Sequence, residues 1–592
     1  MLFLLSIQVT KHLKGDENFY LSVEVTSPAP SQFSTQLTYK KNTGDSFDTI
    51  NLLKQLPGIS LMPQGGKTDS TVLSIAGMSG KQLSIVLNGM VYETTTGNFN
   101  LLALPGEIKS IEIATSSDSN TGSGQGGTII ITSDELTCRS NLQFEISSED
   151  YNKFTANFCY EKKFKYNFSF GVIKSKGNYS FINNNGTFQD SSDDFKDIRR
   201  NNNFSKEFME FSVKNNNFNL NGNFTKIEKG EPGLISFPSL TAHSNNKSYS
   251  LILKWKGINK KIWGGVIGEN SFFTDPKGDF AGYPLYISDN FYQFEQGGSL
   301  GKRKGIFFNL INWRIRRLLL NGNYYGYKNR SVFHISEQLN FTQNTFISQI
   351  SISAEKLSDI YLPDYSYTAG IKYEIIKKIF TGLNFNRHYR FPTLKELYYN
   401  HGYIEGNNNL KTEHGYLIDF FLKTDGELNY SIRVYKDTVR DMIDYFLVSG
   451  FRYKPLNLGE VDKKGIDFQI NYNYNKTADI SSTLSYFYGR YTKDNLKGFI
   501  PNYPQWKLFS KLSLGNKYKI TASFLLEKEI YLNLSNSKVI PFQKKVSSTF
   551  KIIQNNFIFI LGVTNILNDQ FYTYKYYPVP LREWFFKINF SM

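Results

Sequence analysis

The chain carries six histidines and two cysteines, dispersed so that no group of them has the spacing of a metal-ligand set. No resident metal is expected. The segment Asp190-Ser-Ser-Asp-Asp-Phe-Lys-Asp197 has the carboxylates a calcium loop requires but not the twelve-residue order of an EF-hand, and reads as a solvated charged loop. The glycine run from Gly122 to Gly127 lacks the Lys-Ser/Thr that completes a phosphate-binding loop, and no Gly-x-Ser-x-Gly nucleophile elbow occurs. Catalysis and a bound cofactor are thus not expected. Cys138 shares strand parity with Leu142, Phe144 and Ile146, while Cys159 is opposite in parity to Phe154, Phe158 and Tyr160. The two thiols are expected on different sides of the first hairpin, so that a disulfide needs a bulge.

The residues that remain are arranged for binding and for a membrane. In the last nine residues Trp584, Phe586, Ile588, Phe590 and Met592 fall on one side of an extended strand, and Phe585, Lys587, Asn589 and Ser591 on the other. An unbroken apolar stripe at a chain terminus suits a strand with lipid on one face and a wet lumen on the other. Mean hydropathy is negative. The longest apolar stretches, such as Phe557 to Val563, fall far short of the roughly 20 residues a spanning helix needs. Any crossing of a membrane is therefore made with strands. Aromatics form 16% of the chain, with 39 Tyr and 50 Phe, enough for two interfacial girdles; a large soluble all-β protein is the alternative. The formal charge of +16 does not imply nucleic acid, because the lysines are scattered among Asn, Tyr and Gly and no nucleic-acid module is present. It suits lipid phosphates or anionic ligands instead.

Four stretches follow along the chain. Residues 1–20 include Met1 to Ile7, which resembles the end of a signal peptide's apolar core without a preceding basic residue. Residues 21–30 continue a polar arm that contains Pro28 and Pro30. Residues 31–137 turn into a small α+β unit. There Ile50, Leu52, Leu53 and Leu56 suit a short helix ended by Pro57-Gly58. Short strands follow near 72–75, 83–87, 108–113 and 128–131, with glycine turns at Gly65-Gly66, Asn88-Gly89 and Gly122–Gly127 between them. Residues 138–592 alternate apolar and polar residues, as in Phe164/Tyr166/Phe168/Phe170 and Ile466/Phe468/Ile470/Tyr472. Twenty-two strands would leave about 21 residues for each strand and its connection, and about sixteen or eighteen also satisfy the arithmetic.

Within the small unit, Leu73-Ser-Ile-Ala-Gly77, Ile85-Val-Leu-Asn-Gly89, Ile111-Glu-Ile113 and Gly122-Ser-Gly-Gln-Gly-Gly127 stand in the order and spacing of the plug of TonB-dependent outer-membrane receptors. Later stretches resemble that family's barrel landmarks: Arg390-Phe-Pro-Thr-Leu-Lys-Glu-Leu-Tyr398, Gly406 to Glu413, Gly465-Ile-Asp467 and Thr564-Asn-Ile-Leu-Asn-Asp569. The resemblance implies an all-β transmembrane barrel of about 22 antiparallel strands with an α+β plug inside it, in the bacterial outer membrane. It implies Gly77, Asn88, Gly89, Glu112, Gly122, Gly124, Gly126 and Gly127 as the plug's structural motif.

The same resemblance implies active uptake of a scarce small molecule. A ferric siderophore is expected first and a corrinoid such as vitamin B12 next; a passive or degenerate barrel is the alternative class. The ligand would bring its own iron or cobalt, and no protein cofactor is implied. Energy would come from the TonB complex, with Leu21, Ser22, Val23, Glu24, Val25, Thr26 and Ser27 as the segment that adds a strand to the partner. Ligand contacts are expected on the plug apices at Gln64, Lys67, Tyr92 and Phe99. Outer-membrane lipid is the surrounding medium, a monomer is expected, and a surface lipoprotein is a further candidate partner. The terminal strand departs from the family in having Leu581 in place of the usual Gly before Arg582 and two residues after the customary terminal Phe, Phe590, and the plug departs at two places. Ala76 stands where plugs usually carry Arg, and Thr115-Ser116 where a basic residue and Gly are usual. A plug held by neutral hydrogen bonds, or loosely, is the expectation that follows.

Overall fold

A strand that shows lipid one face and water the other is stable beside another of the same pattern, and the last such strand of this chain pairs with the first. In the computed structural model, Glu583–Ser591 lies antiparallel to Asn141–Ser147, with Phe590 opposite Leu142, Ile588 opposite Phe144 and Phe586 opposite Ile146. The described residues are 36–40, 53–94, 101–102, 110–114, 124, 126–133, 138–184 and 192–592, with short interruptions at 236, 281, 402–403, 449–451, 458, 475–476, 494–495, 534 and 575–576. The terminal pairing closes an antiparallel barrel of 22 strands. No helix among the described residues is long and apolar enough to cross a membrane.

The period of two sorts the wall. Phe144, Phe158, Phe168, Leu251, Leu339, Ile418 and Leu484 are exposed on the outside, an apolar area far beyond what a soluble surface shows. Asn157, Ser169, Asn223, Gln338, Asn386 and Thr483 are buried on the inside and join in side-chain networks such as Ser169 to Asn157. One end of the barrel has tight turns, as at 215–217, 305–306 and 555–556; the other has the longer connections 176–203, 391–412 and 441–459. In outer-membrane barrels short turns face the periplasm and longer loops face outward.

The inside is filled by the plug. A five-stranded sheet runs in the order Gln36–Lys40, Ser110–Ala114, Thr128–Thr132, Ser84–Leu87, Met90–Val91, with Ile85 parallel to Ile129. A second sheet joins Ile59–Pro63, Thr71–Ile75 and Met78–Ser79. Leu53, Leu56, Ile59, Leu73, Ile75, Met78, Ile111, Ile113 and Ile129 form its core. The helix expected before Pro57 is described only from Leu53 onward. Asn88 and Gly89 both have positive φ, 47° and 84°, the conformation that a two-residue hairpin demands. The glycine run is required for packing: a Cβ on Gly126 would stand 2.4 Å from the Met78 Cβ. Gly122 and Thr115-Ser116 lie outside the described residues.

One expectation is corrected. Cys138 and Cys159 are joined in a disulfide. The parity argument carried the strand back to Cys138, but pairing begins only at Asn141, so alternation does not govern the thiol's direction. Ser140 accepts the Cys159 N–H at 3.0 Å and brings the two segments together without a bulge in the paired strands. Such a bond belongs to an oxidising compartment.

Candidate functional site

The landmark from Arg390 to Tyr398 shows why these residue types recur together. Arg390 is the last residue of the strand Ile379–Arg390. Pro392 cannot donate to a ladder, so the chain leaves the sheet there. Thr393 then caps the short helix Leu394–Tyr398: its Oγ1 accepts from the Glu396 N–H at 3.2 Å, and the Glu396 carboxylate accepts from the Thr393 N–H at 2.8 Å. The same carboxylate accepts from Arg390 Nη1 at 2.9 Å and from plug Lys81 Nζ at 2.6 Å. Burial works to raise its pKa, but the Arg390 guanidinium and Lys81 ammonium outweigh it and hold Glu396 well below the usual carboxylate range.

Around this junction the plug edge and the wall leave a cavity of ≈ 90 Å³. Lys81, Tyr92 and Glu93 come from the plug, and Arg316, Arg330, Glu355, Arg390 and Phe391 from the barrel. The outward ends of three strands meet here, since Arg330, Glu355 and Arg390 all sit close to the loop ends of their strands. Arg316 is shared: it reaches plug Glu93 with one nitrogen and wall Glu355 with another, the latter at 3.4 Å. Arg330 grips Asp359 through Nε and Nη2 and donates to the Pro392 carbonyl at 3.0 Å. Tyr92 is buried, and burial followed by the Glu269 charge pushes its hydroxyl well above the usual range, so it stays a donor at physiological pH. Three guanidinium groups and an ammonium therefore converge on one outward-facing seam. Each of these cations is matched by a carboxylate, Arg390 by Glu413 as well as Glu396, so an anion would bind the seam by sharing their donors.

The expected ligand residues separate. Tyr92 lines the cavity. Lys67 does not: it pairs with Glu145 of the wall and sits 4.2 Å above the Tyr151 ring, on a different sector. Gln64 is half-buried in the loop between Pro63 and Thr71, where its backbone N–H donates to Ser70 O at 2.8 Å. Phe99 and the whole segment Leu21–Ser27 lie outside the described residues. Lys81, Glu93, Arg316 and Arg330 were not among the expected contacts. A signal for one of them exists in Trp313-Arg314-Ile315-Arg316, where Arg alternates with apolar residues and must face the lumen.

The expectation of a plug held by neutral bonds or loosely is also corrected. Ion pairs join plug to barrel at Lys67–Glu145, Asp69–Lys229, Lys81–Glu396 and Glu93–Arg316. Neutral contacts add to them where Gly58 N–H donates to Ser485 Oγ and Gly58 O accepts from Tyr503, both at 2.9 Å. The cations absent at Ala76 and Thr115 are thus replaced elsewhere on the plug surface. Of the other motif residues, Asn88 exchanges two hydrogen bonds with Ser133, Gly77 lies beneath the Phe487 ring, and Glu112 sits half-buried in its strand opposite Thr38 and Ile130.

Family models match in two parts: a TonB-dependent receptor plug domain over residues 28–129 and a TonB-dependent receptor-like β-barrel over residues 114–527. The chain belongs to the TonB-dependent receptor family. Among solved structures it is similar to the siderophore receptor PirA from Acinetobacter baumannii, at 11% identity and a TM-score of 0.75, covering 95% of this chain and 99% of that one. The FrpB iron transporter from Neisseria meningitidis gives 11% and 0.77, covering 93% and 97%. The copper transporter OprC gives 14% and 0.76, covering 95% and 100%. At such identities the likeness is one of fold. No curated relative matches the sequence. As a TonB-dependent receptor the chain is an outer-membrane protein, and its family implies a TonB interaction and a small-molecule ligand.

Proposed function

We propose that this receptor actively imports an anionic small molecule, a ferric siderophore before any other, across the outer membrane. The observation that carries the reading is the seam of Arg316, Arg330, Arg390 and Lys81 at the outward junction of plug and wall. Guanidinium groups recognise carboxylate-like and catecholate-like oxygens in bidentate fashion, and partly desolvated ones do so strongly. The cavity is small against the roughly 300–1,000 Å³ of sites that enclose drug-sized ligands, so the ligand rests on the seam and widens it as it binds. Arg316 makes that step consequential: an arriving anion competes with Glu93 for its guanidinium and so loosens one tie between plug and wall. Solved neighbours described as a siderophore receptor and an iron transporter support the same class. Energy would enter through Leu21–Ser27 pairing with TonB.

The test is growth and accumulation. A strain lacking the receptor is given iron as a panel of purified ferric siderophores, with cobalamin as a parallel arm, and accumulation of labelled metal is measured with and without TonB. Restoration by the receptor gene for at least one iron complex, abolished without TonB, is expected. Accumulation unaffected by TonB would replace the transporter reading with a passive pore.

A further inference from the structure

Among the described residues, a cluster of cations without carboxylate partners lies at the other end. The neighbouring turns 257–259 and 305–306 are flanked by Lys256, Lys260, Lys261, Lys302, Arg303 and Lys304, all exposed. No Asp or Glu occurs in the sequence between Glu231 and Glu269, nor between Glu295 and Glu337. Among the described residues, none of the six cations is paired with a carboxylate. Lys260, Lys302 and Lys304 share the outward parity of the exposed Ile262 and Leu300, while Lys256, Lys261 and Arg303 have the parity of Trp263 and Glu295, which face the plug side. Glu337, the nearest acid on the adjacent strand, is already bound by Asn309 at 2.8 Å. The turn at 377–378 also carries an exposed lysine pair, and the exposed Glu161 and Glu427 flank the turns at 162–164 and 425–427, away from 257–259 and 305–306.

Depth fixes what this charge meets. Phe307, Phe341 and Phe346 form a chain of rings with centroids 5.4 and 6.0 Å apart on the outer wall, and Lys260 lies 5.3 Å from the Trp255 ring. Aromatic side chains on the outer wall of a barrel mark the level between acyl chains and headgroups. Lys304 is the cross-strand partner of Phe307, and Lys260 lies two residues beyond Ile262, the partner of Trp255, so the outward cations lie at the level of the rings and just beyond it, where lipid phosphates are. Two isoleucines at the turn tips, Ile258, fully exposed, and Ile306, at 42% exposure, sit between the cations and favour a surface that is apolar as well as anionic.

We infer that the short-turn rim around Lys260, Lys302 and Lys304 binds the headgroups of anionic phospholipids in the periplasmic leaflet. The sector is a fixed electrostatic contact with the bilayer, separate from the ligand seam and independent of what the receptor imports. It orients the barrel and holds a shell of acidic lipid beside the turns next to the plug's inner face.

The test uses the full chain, folded in detergent with mixed phosphatidylethanolamine and phosphatidylglycerol, and native mass spectrometry to count retained lipids. Wild type is expected to retain phosphatidylglycerol several-fold over its share of the mixture, and 0.5 M NaCl to remove the preference. Replacing Lys260, Lys302 and Lys304 with Gln should bring retention down to the bulk ratio, whereas Lys196→Gln with Lys277→Gln on the outward loops should not. If the triple variant does not assemble, the salt titration of wild type decides alone. Equal retention of the two lipids by wild type overturns the inference. So does a preference that millimolar inorganic phosphate erases, which would mark a site for free anions, or sedimentation with purified peptidoglycan without any lipid preference.

Discussion

The ammonium of Lys81 lies 2.6 Å from a carboxylate oxygen of Glu396, a contact between plug and wall that spans 315 residues of sequence. Both ends are buried or nearly so, and Arg390 holds the same carboxylate from the barrel side. The pair therefore decides how firmly the outward edge of the plug is seated.

Removing one charge of a buried network leaves the others uncompensated. Glu396→Gln leaves Arg390 with Glu413 and leaves Lys81, still bonded to the Ile443 carbonyl, without its carboxylate, and should lower the stability of the seated plug by about 3 kcal/mol. Lys81→Met leaves Glu396 with Arg390 and should cost less, about 1–2 kcal/mol. Trp263 packs against the plug core, so urea titrations followed by tryptophan fluorescence report the change. Equal midpoints for both variants and wild type would show that this contact does not hold the plug.

The same pair fixes a pH dependence. Glu396 titrates well below the ordinary carboxylate range when folded, so its stabilisation is present above the unfolded-state pKa and is lost as pH falls through the lower folded value. Seating of the plug should thus persist at pH 4.5 and fail only under stronger acid. In Glu396→Gln this contribution to the acid limb should vanish. Plug midpoints measured from pH 7 down to pH 3 for both proteins check the sign.

Arg316 should respond in opposite ways to two changes. Arg316→Gln removes a charge-assisted contact and should weaken binding of an anionic ligand by about 10- to 100-fold. Glu93→Gln frees Arg316 from its plug partner and should strengthen binding. Isothermal titration of the purified receptor with a ferric siderophore that supports growth measures both. Tighter binding by Arg316→Gln, or weaker binding by Glu93→Gln, would move the ligand away from this seam.

Much of this architecture was legible because barrel strands have a period of two. Phe586, Ile588 and Phe590 follow the stripe read from the terminus, and Leu484, exposed at mid-strand beside buried Ser485, shows the same logic in the wall. Leu484→Arg should accordingly reduce barrel stability by about 2–4 kcal/mol, visible as reduced heat-modifiable mobility. Partnerships across the fold were not legible. Lys67 sits in a polar glycine-containing loop and reads as a ligand contact, but Glu145 from the first barrel strand claims it. Lys81 and Arg316 carry no local sign of their partners, since a plug inside a barrel brings together residues hundreds of positions apart. Cys138 escaped for the opposite reason: a periodic rule was carried past the point where pairing begins.

Energy coupling separates a transporter from a passive barrel, and the segment proposed to carry it lies outside the described residues. Leu21-Ser-Val-Glu-Val-Thr-Ser27 alternates Leu21, Val23 and Val25 and is followed by Pro28, the pattern of a strand that can be lent to another sheet. Val25→Pro removes one backbone donor and fixes φ near −65°, both incompatible with addition to a partner's sheet edge. It leaves Arg316 and Arg390 untouched, so ligand affinity of intact cells should equal that of wild type while accumulation of labelled ligand stops. The comparison is made at equal surface expression, so that a loss of uptake cannot come from fewer receptors. Accumulation that persists in the variant would show that coupling enters elsewhere in the chain. Loss of binding together with uptake would show that the segment shapes the outward seam, a role that the position of the plug's cations does not require.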